Sequence, residues 1–322
     1  MIIAPMNTPK HINVAVSGTL RLSDWGLIRA QGEEAAKFLH GQLTQDFAQL
    51  GMAEARLAGF CSAKGRLLAT LIGWKVGEQE ILLALPASLL PAILKRLSMF
   101  VMRAKCKLSD ASADLQLWGL SGTAATEWLG DAAPARRWAR AGKGAATVIR
   151  LPDALAEADA ALPRYLLAQP ADLPAPTLPA LAPADWQWLE LQSGLAWVLP
   201  ATSEQFVPQM LNLELLGGVN FQKGCYPGQE VVARSQYRGT LKRRTFLYEL
   251  DGPAAPGQEI FHSEDPGQPA GLVANAAQRD GLSLILAETK IAALASGSLH
   301  LGSVEGPLLR PLALPYALTE PE

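Results

Sequence analysis

Lys223-Gly224-Cys225-Tyr226-Pro227-Gly228-Gln229-Glu230 places one thiol two residues after a cation, and a basic run of Arg234, Arg238, Lys242, Arg243 and Arg244 follows it. Lys223 can stabilise a thiolate at Cys225. Pro227 has the fixed φ that suits the first turn of a helix, so Gly228 to Gln236 is expected to continue as one, with Cys225 just outside its positive N-terminal end. Both effects favour the thiolate, which is the nucleophilic form of cysteine. On local chemistry alone, the same residues also describe a glycine-rich turn with an incidental cysteine.

The chain has 322 residues, 49% of them hydrophobic, and a formal charge of −2. That length supports two or three packed units around real cores. Met1 to Lys10 contains no long apolar run after a basic start, and no stretch offers about 18 uncharged apolar residues, so no membrane span is expected and a cytoplasmic setting is. Cysteines at 61, 106 and 225 are odd in number and far apart, which suits reduced thiols. No CxxC pair is present to hold zinc, and there is no four-cysteine set for an iron–sulfur cluster. His11, His40, His262 and His300 lack the spacing of a metal site, and no GxSxG elbow or GxxxxGK[ST] loop occurs. His40 reads as a helix-surface or packed residue. Near-neutral charge argues against a dedicated nucleic-acid binder. The Arg234 to Arg244 cluster would still suit a polyanion, such as RNA or a polyglutamate tail, if it is more than a solvated face.

Ala35, Leu39, Leu43 and Phe47 recur at spacings of four, which predicts one helix across Gly32 to Leu50. Strands are expected at Arg66 to Val76 and Ile81 to Leu85, and Ser88 is placed to cap a helix that turns Leu89, Leu90, Ile93, Leu94 and Leu97 inward. A second strand–helix mixture runs through Asp114 to Gln169, so the body reads as α+β. Residues 170–183 hold Pro170, Pro174, Pro176, Pro179 and Pro183 and read as an extended linker within the body. Asp185 then reads as the cap of a helix through Gln192. Beyond Arg244, short segments separated by Gly and Pro (Arg244 to Leu250, Leu272 to Ala276, Leu282 to Leu286, Ser298 to Leu301) suggest a small antiparallel barrel. The expected division is a body at 1–241 and a barrel at 242–322.

The run KGCYPGQEVVAR, together with Phe38-Leu39-His40-Gly41-Gln42-Leu43-Thr44-Gln45-Asp46, Cys61-Ser62-Ala63-Lys64-Gly65-Arg66 and Gln205-Phe206-Val207-Pro208-Gln209-Met210-Leu211-Asn212-Leu213, resembles the sequence blocks of the YgfZ family. These are folate-binding relatives of the glycine cleavage T-protein aminomethyltransferases. The blocks cover most of Trp25 to Arg244 and occur in family order. The resemblance implies a T-protein-like, ring-shaped α+β body around a folate cavity with a small C-terminal antiparallel β-barrel. It also implies tetrahydrofolate or a one-carbon derivative as cofactor. Trp25 and Trp186 resemble the family's folate-site tryptophans, with Trp188 a weaker match; an indole stacked on a pteridine contributes about 0.5–1.5 kcal/mol beyond area burial.

Aminomethyltransferases share a Gly-Gly-x-x-Asp-Asp run, and alignment of Gly65-Arg66-Leu67-Leu68-Ala69-Thr70-Leu71 against it leaves Ala69 and Thr70 where the acids stand. Neither can position a charge or accept a proton there. The resemblance therefore implies an accessory protein rather than a classical enzyme. Its cargo or clients would be iron–sulfur enzymes, such as the tRNA methylthiotransferases, with Cys225 as working thiol and at most weak tRNA contact. A folate-dependent one-carbon transferase and an RNA-binding module built on the 234–244 run are the alternatives.

Overall fold

The computed structural model describes residues 16–155, 161–237 and 241–319. Strands in the N-terminal two-thirds are Gly18–Arg21 (β1), Trp25–Gln31 (β2), Ala55–Cys61 (β3), Leu67–Gly77 (β4), Glu80–Pro86 (β5), Lys107–Asp110 (β6) and Leu115–Ser121 (β7). Arg140–Lys143 (β8), Ala146–Arg150 (β9), the short pair Ala154–Leu155 (β10) and Ala161–Leu162 (β11), and Arg164–Pro170 (β12) follow. The helices are Ala35–His40 (α1), Leu90–Val101 (α2), Gly122–Leu129 (α3), Pro183–Gln192 (α4) and Gln229–Tyr237 (α5). One antiparallel sheet has the order β3-β4-β5-β2-β6 and a second the order β1-β7-β12-β9-β8.

The remaining strands are Arg243–Asp251 (β13), Glu259–His262 (β14), Asp265–Arg279 (β15), Leu282–Lys290 (β16), Leu299–Leu301 (β17) and Arg310–Leu312 (β18). They form a six-stranded antiparallel sheet in the order β17-β14-β15-β16-β13-β18. This sheet curls back on itself: Leu309 N–H donates to Leu299 O at 2.8 Å and Leu301 N–H to Pro307 O at 3.0 Å, joining β17 to the approach to β18. Closure removes the exposed edges that an open sheet would present. Phe246, Tyr248, Ile260, Val273 and Ile285 fill the inside of the curl. Leu247, Leu284, Leu286 and Leu312 pack outward into the same apolar cluster as the body.

Three expectations change. The helix predicted across Gly32 to Leu50 ends at His40. Gly41 N–H closes it onto the Lys37 and Phe38 carbonyls, after which Leu43 forms a bridge with Phe60 and Thr44 N–H donates to Gly59 O at 2.9 Å. Thr44 Oγ1 also accepts the Gly59 amide at 2.7 Å and donates to Gly218 O at 2.6 Å. These bonds to distant segments replace the helical ladder, although Ala35, Leu39, Leu43 and Phe47 are all buried as their spacing implied. Ser88 lies in a turn and caps nothing; α2 starts at Leu90 with Pro91 in its first turn, and Leu94 is only partly buried. Asp185 sits inside the first turn of α4, behind the cap residue Ala182, and pairs with Arg279 at 3.4 Å. The 170–183 connection has no helix, as its prolines require.

Candidate functional site

β3 ends at Cys61, and a tight turn reverses the chain into β4: Gly65 N–H donates to Ser62 O at 2.9 Å and Ser62 N–H to Arg66 O at 2.8 Å. The Tyr226–Gly228 stretch rests on this turn. Gly228 has φ +78°, and a Cβ there would lie 2.4 Å from Ser62 O and 2.6 Å from Gly65 Cα. Only glycine combines that conformation with that approach. α5 begins one residue later, so Cys225 precedes its N-terminus as expected.

Lys223 ties the Cys225 loop to a third block. Its Nζ donates to His40 O at 2.5 Å, Leu43 O at 3.0 Å and Gly224 O at 3.3 Å, and lies 4.6 Å from the Tyr226 ring centroid. The fourth block closes the other side: Leu67 N–H donates to Phe206 O, the Arg66 guanidinium to Gln205 O, and Gln209 Nε2 to Val232 O at 2.8 Å. Four stretches spread over more than half of the chain thus meet around one loop, and at its surface is Cys225.

The three thiols differ sharply. Cys225 is exposed, Cys106 is half-buried, and Cys61 is buried, with its thiol pushed up to about 12 by desolvation. Burial lowers the Lys223 ammonium to about 8, while its interactions with Asp46 and Cys225 pull it the other way. Lys223 therefore lies in the field of Cys225, yet its three donors go to carbonyls, so it also fixes the loop. Burial pushes Asp46 up, but the Gln49 amide, His40 and the Ala48 amide together hold its carboxyl below the usual range. His40 Nδ1 and Asp46 Oδ1 are 2.8 Å apart. This pair was not evident in the sequence, because a continuous helix would have separated the two side chains.

The basic run divides. Arg234 and Lys242 are exposed, and Arg238 lies outside the described residues. Arg243 makes a two-pronged pair with Glu288 at 2.9 and 2.8 Å. Arg244 is buried and donates to Glu214 at 2.7 Å and Asn212 at 3.0 Å. Grouping all five as one polyanion surface thus overreaches: the last two are committed to internal acceptors that sequence neighbours do not reveal.

The tryptophans also separate. Trp25, at the start of β2, is partly buried and meets Trp197 edge-on with centroids 4.7 Å apart. Trp186 and Trp188 are buried in α4. The Arg164 guanidinium lies over Trp186 at 4.6 Å and pairs with Glu190 at 3.0 Å. Gly119 in β7 allows the Trp186 ring to approach, since a Cβ there would lie 2.6 Å from it. A cavity of about 310 Å³ lies between Arg137, Arg150, Ser193, Leu216 and Tyr316, and none of the three tryptophans lines it. Ala69 and Thr70 are buried, and Thr70 Oγ1 accepts the Val198 amide at 3.0 Å. No acid stands in that part of β4.

No family model matches the chain. It is 35% identical over 253 residues to the tRNA-modifying protein YgfZ of Edwardsiella ictaluri, covering 70% of this chain and 69% of the relative. It is 31% identical to the protein of the same name from Klebsiella pneumoniae, covering 94% of this chain and 93% of that one. The chain belongs to the YgfZ family. Its fold is that of the glycine cleavage aminomethyltransferase T of Bartonella henselae, with a TM-score of 0.73 over 94% of this chain and 87% of the other at 18% identity. That match accounts for the α+β body followed by an antiparallel barrel. Among the described residues, no helix is long and apolar enough to cross a membrane, and no cluster of His, Cys, Asp and Glu could hold a metal ion.

Proposed function

We propose that this chain is a folate-binding accessory protein that supports the assembly or repair of iron–sulfur enzymes, and through them tRNA modification, with Cys225 as its working thiol. The observation that carries this reading is the exposed Cys225 on a loop held by the other three sequence blocks. The relatives named as tRNA-modifying proteins support the tRNA link. A thiol at the surface suits transfer to or from a client enzyme, whereas the thiol of Cys61 is too buried to react. The absence of acids at Ala69 and Thr70 removes the proton-handling group that a one-carbon transferase would need.

Unpartnered polar atoms on α4 support the folate reading. Trp186 Nε1, Trp188 Nε1 and both ends of the Gln192 amide are buried without partners. Buried polar groups are normally bonded, so such a group of orphans marks a place where a ligand can supply the missing donors and acceptors. Trp25, with part of its ring accessible, adds an aromatic face. A reduced folate held there supplies a one-carbon carrier; these side chains orient it. The exposed Arg234 and Lys242 leave room for weak tRNA contact.

Two measurements test the reading. Anaerobic calorimetry with tetrahydrofolate and its formyl derivative should give micromolar binding that is lost in Trp25→Ala, and absence of binding by the wild type would remove folate from the proposal. In a strain lacking the gene, Cys225→Ser should fail to restore iron–sulfur enzyme activity. Full restoration would rule out the thiol's role.

A further inference from the structure

We infer that His40, held by Asp46, is the base that takes the proton of the Cys225 thiol, so that the loop carries a Cys–His–Asp relay. This deepens the reading of Cys225 as the working thiol and rests on it.

The geometry assigns the roles. His40 Nδ1 lies 2.8 Å from Asp46 Oδ1, and a carboxylate held there by the Gln49 amide at 3.0 Å can only accept, so Nδ1 carries the proton. That tautomer leaves the lone pair on Nε2. Among the described residues no protein group bonds to Nε2, and it faces Gly224, where a Cβ would lie 3.3 Å away. Gly224 immediately precedes Cys225 and has no side chain to stand between the ring and the thiol. The His40 and Asp46 side chains are 22% and 17% exposed, buried enough to be held and open enough to exchange protons. Asp46 lies against the ring on its own segment, and the loop that Nε2 faces at Gly224 carries Lys223, Cys225 and Tyr226. Lys223 interacts electrostatically with both Asp46 and Cys225.

The step balances without a further reactant. The S–H bond breaks, its electron pair stays on sulfur, and the proton forms an N–H bond on Nε2. The imidazolium is stabilised by Asp46, and the thiolate by the imidazolium and Lys223. When the thiolate attacks an electrophile, its pair makes the new bond, the leaving group departs with its own pair, and the imidazolium can protonate that group. This is the logic of an activated nucleophile with an oriented base. The substrate class is a soft electrophile, at carbon or sulfur, presented at the protein surface.

Iodoacetamide is the probe: carbon–sulfur bond formation at Cys225 expels iodide and is followed by peptide mass spectrometry between pH 5 and 9. In wild type, the rate should rise with pH in a step that requires the His40 ring. His40→Gln should abolish that step and slow alkylation at pH 7 about tenfold, and Asp46→Asn should slow it several-fold while keeping the step. A His40→Gln profile that superimposes on wild type overturns the relay. Cys225→Ser, an exposed replacement that leaves folding intact, gives a second check, because the His40 titration followed by NMR should move when the thiolate is removed. An unmoved titration also overturns the relay. The deletion strain separates the two levels: restoration by Cys225→Ser defeats the working-thiol reading, whereas failure of Cys225→Ser with full restoration by His40→Gln defeats only the relay.

Discussion

Cys225 and Cys61 are both cysteines of sequence blocks, yet their surroundings give them opposite chemistry. Cys61 is desolvated and its thiol is pushed up to about 12, whereas Cys225 is at the surface. Iodoacetamide at pH 8 should therefore label Cys225 in the folded protein and leave Cys61 untouched until denaturant is added; labelling of Cys61 under native conditions would contradict the burial. Asp46 gives a stability prediction. Its folded carboxyl titrates below the unfolded one, so its contribution is fully present above the unfolded value, near pH 4, and is lost as pH falls through the folded value. Asp46→Asn should cost about 1 kcal/mol at pH 7, and the difference from wild type should vanish towards pH 2 in urea titrations. The nearness of Lys223 and Cys225 was legible in the sequence because both residues lie in one short loop, whereas the carbonyls that take the Lys223 donors were not, because two of them lie 180 or more positions away. The His40–Asp46 pair was not legible either: on a continuous helix, six residues at about 100° each set the two side chains about 120° apart around the axis, and only the break after Gly41 brings them together.

At the scale of elements, the strands were legible and the short helix was not. β4 reads as a continuous apolar run because Leu67 to Trp74 are all buried, and no turn signal interrupts it. α1 was overextended because burial at spacings of four is shared by a helix and by a chain that turns back into a core. The contact between the Ser62–Gly65 turn and Gly228 could not be read, since each glycine explains the other only once distant segments are juxtaposed. Gly228→Ala would force a Cβ to within 2.4 Å of Ser62 O at φ +78°. The expected loss is about 2–3 kcal/mol, from strain plus displacement of the loop. A urea midpoint unchanged from wild type would show that the loop relaxes without cost. If the loop moves, alkylation of Cys225 in the same variant should lose its dependence on neighbouring groups.

At the scale of the molecule, the question is what couples the barrel to the body. Arg244 is the second residue of β13, yet its guanidinium is satisfied by Glu214 and Asn212 from the body and by Thr319 O at 3.1 Å. Its side chain is 4% exposed and that of Glu214 is 7% exposed. The sequence presented Arg244 as part of a surface run because its partner lies 30 positions upstream. Asn275 of β15 adds a second tie by accepting the Trp197 amide at 2.8 Å. Removing one partner of a buried pair leaves the other charge uncompensated, so Arg244→Ala should cost about 3–5 kcal/mol, and the double replacement Arg244→Met with Glu214→Leu should cost less. The chain supplies its own reporter for coupling, because all eight tryptophans fall between Trp25 and Trp197 and none lies in the barrel. Tryptophan fluorescence thus follows the body and its seam with the barrel, where Trp197 meets Asn275, while far-ultraviolet circular dichroism follows both parts in full. With the shared apolar cluster and the Arg244 pair intact, the two probes should report a single coincident transition, and Arg244→Ala should lower both midpoints equally. If Arg244→Ala moved the dichroism but left the fluorescence transition in place, the barrel would be unfolding on its own and the pair would stabilise β13 without joining it to the body.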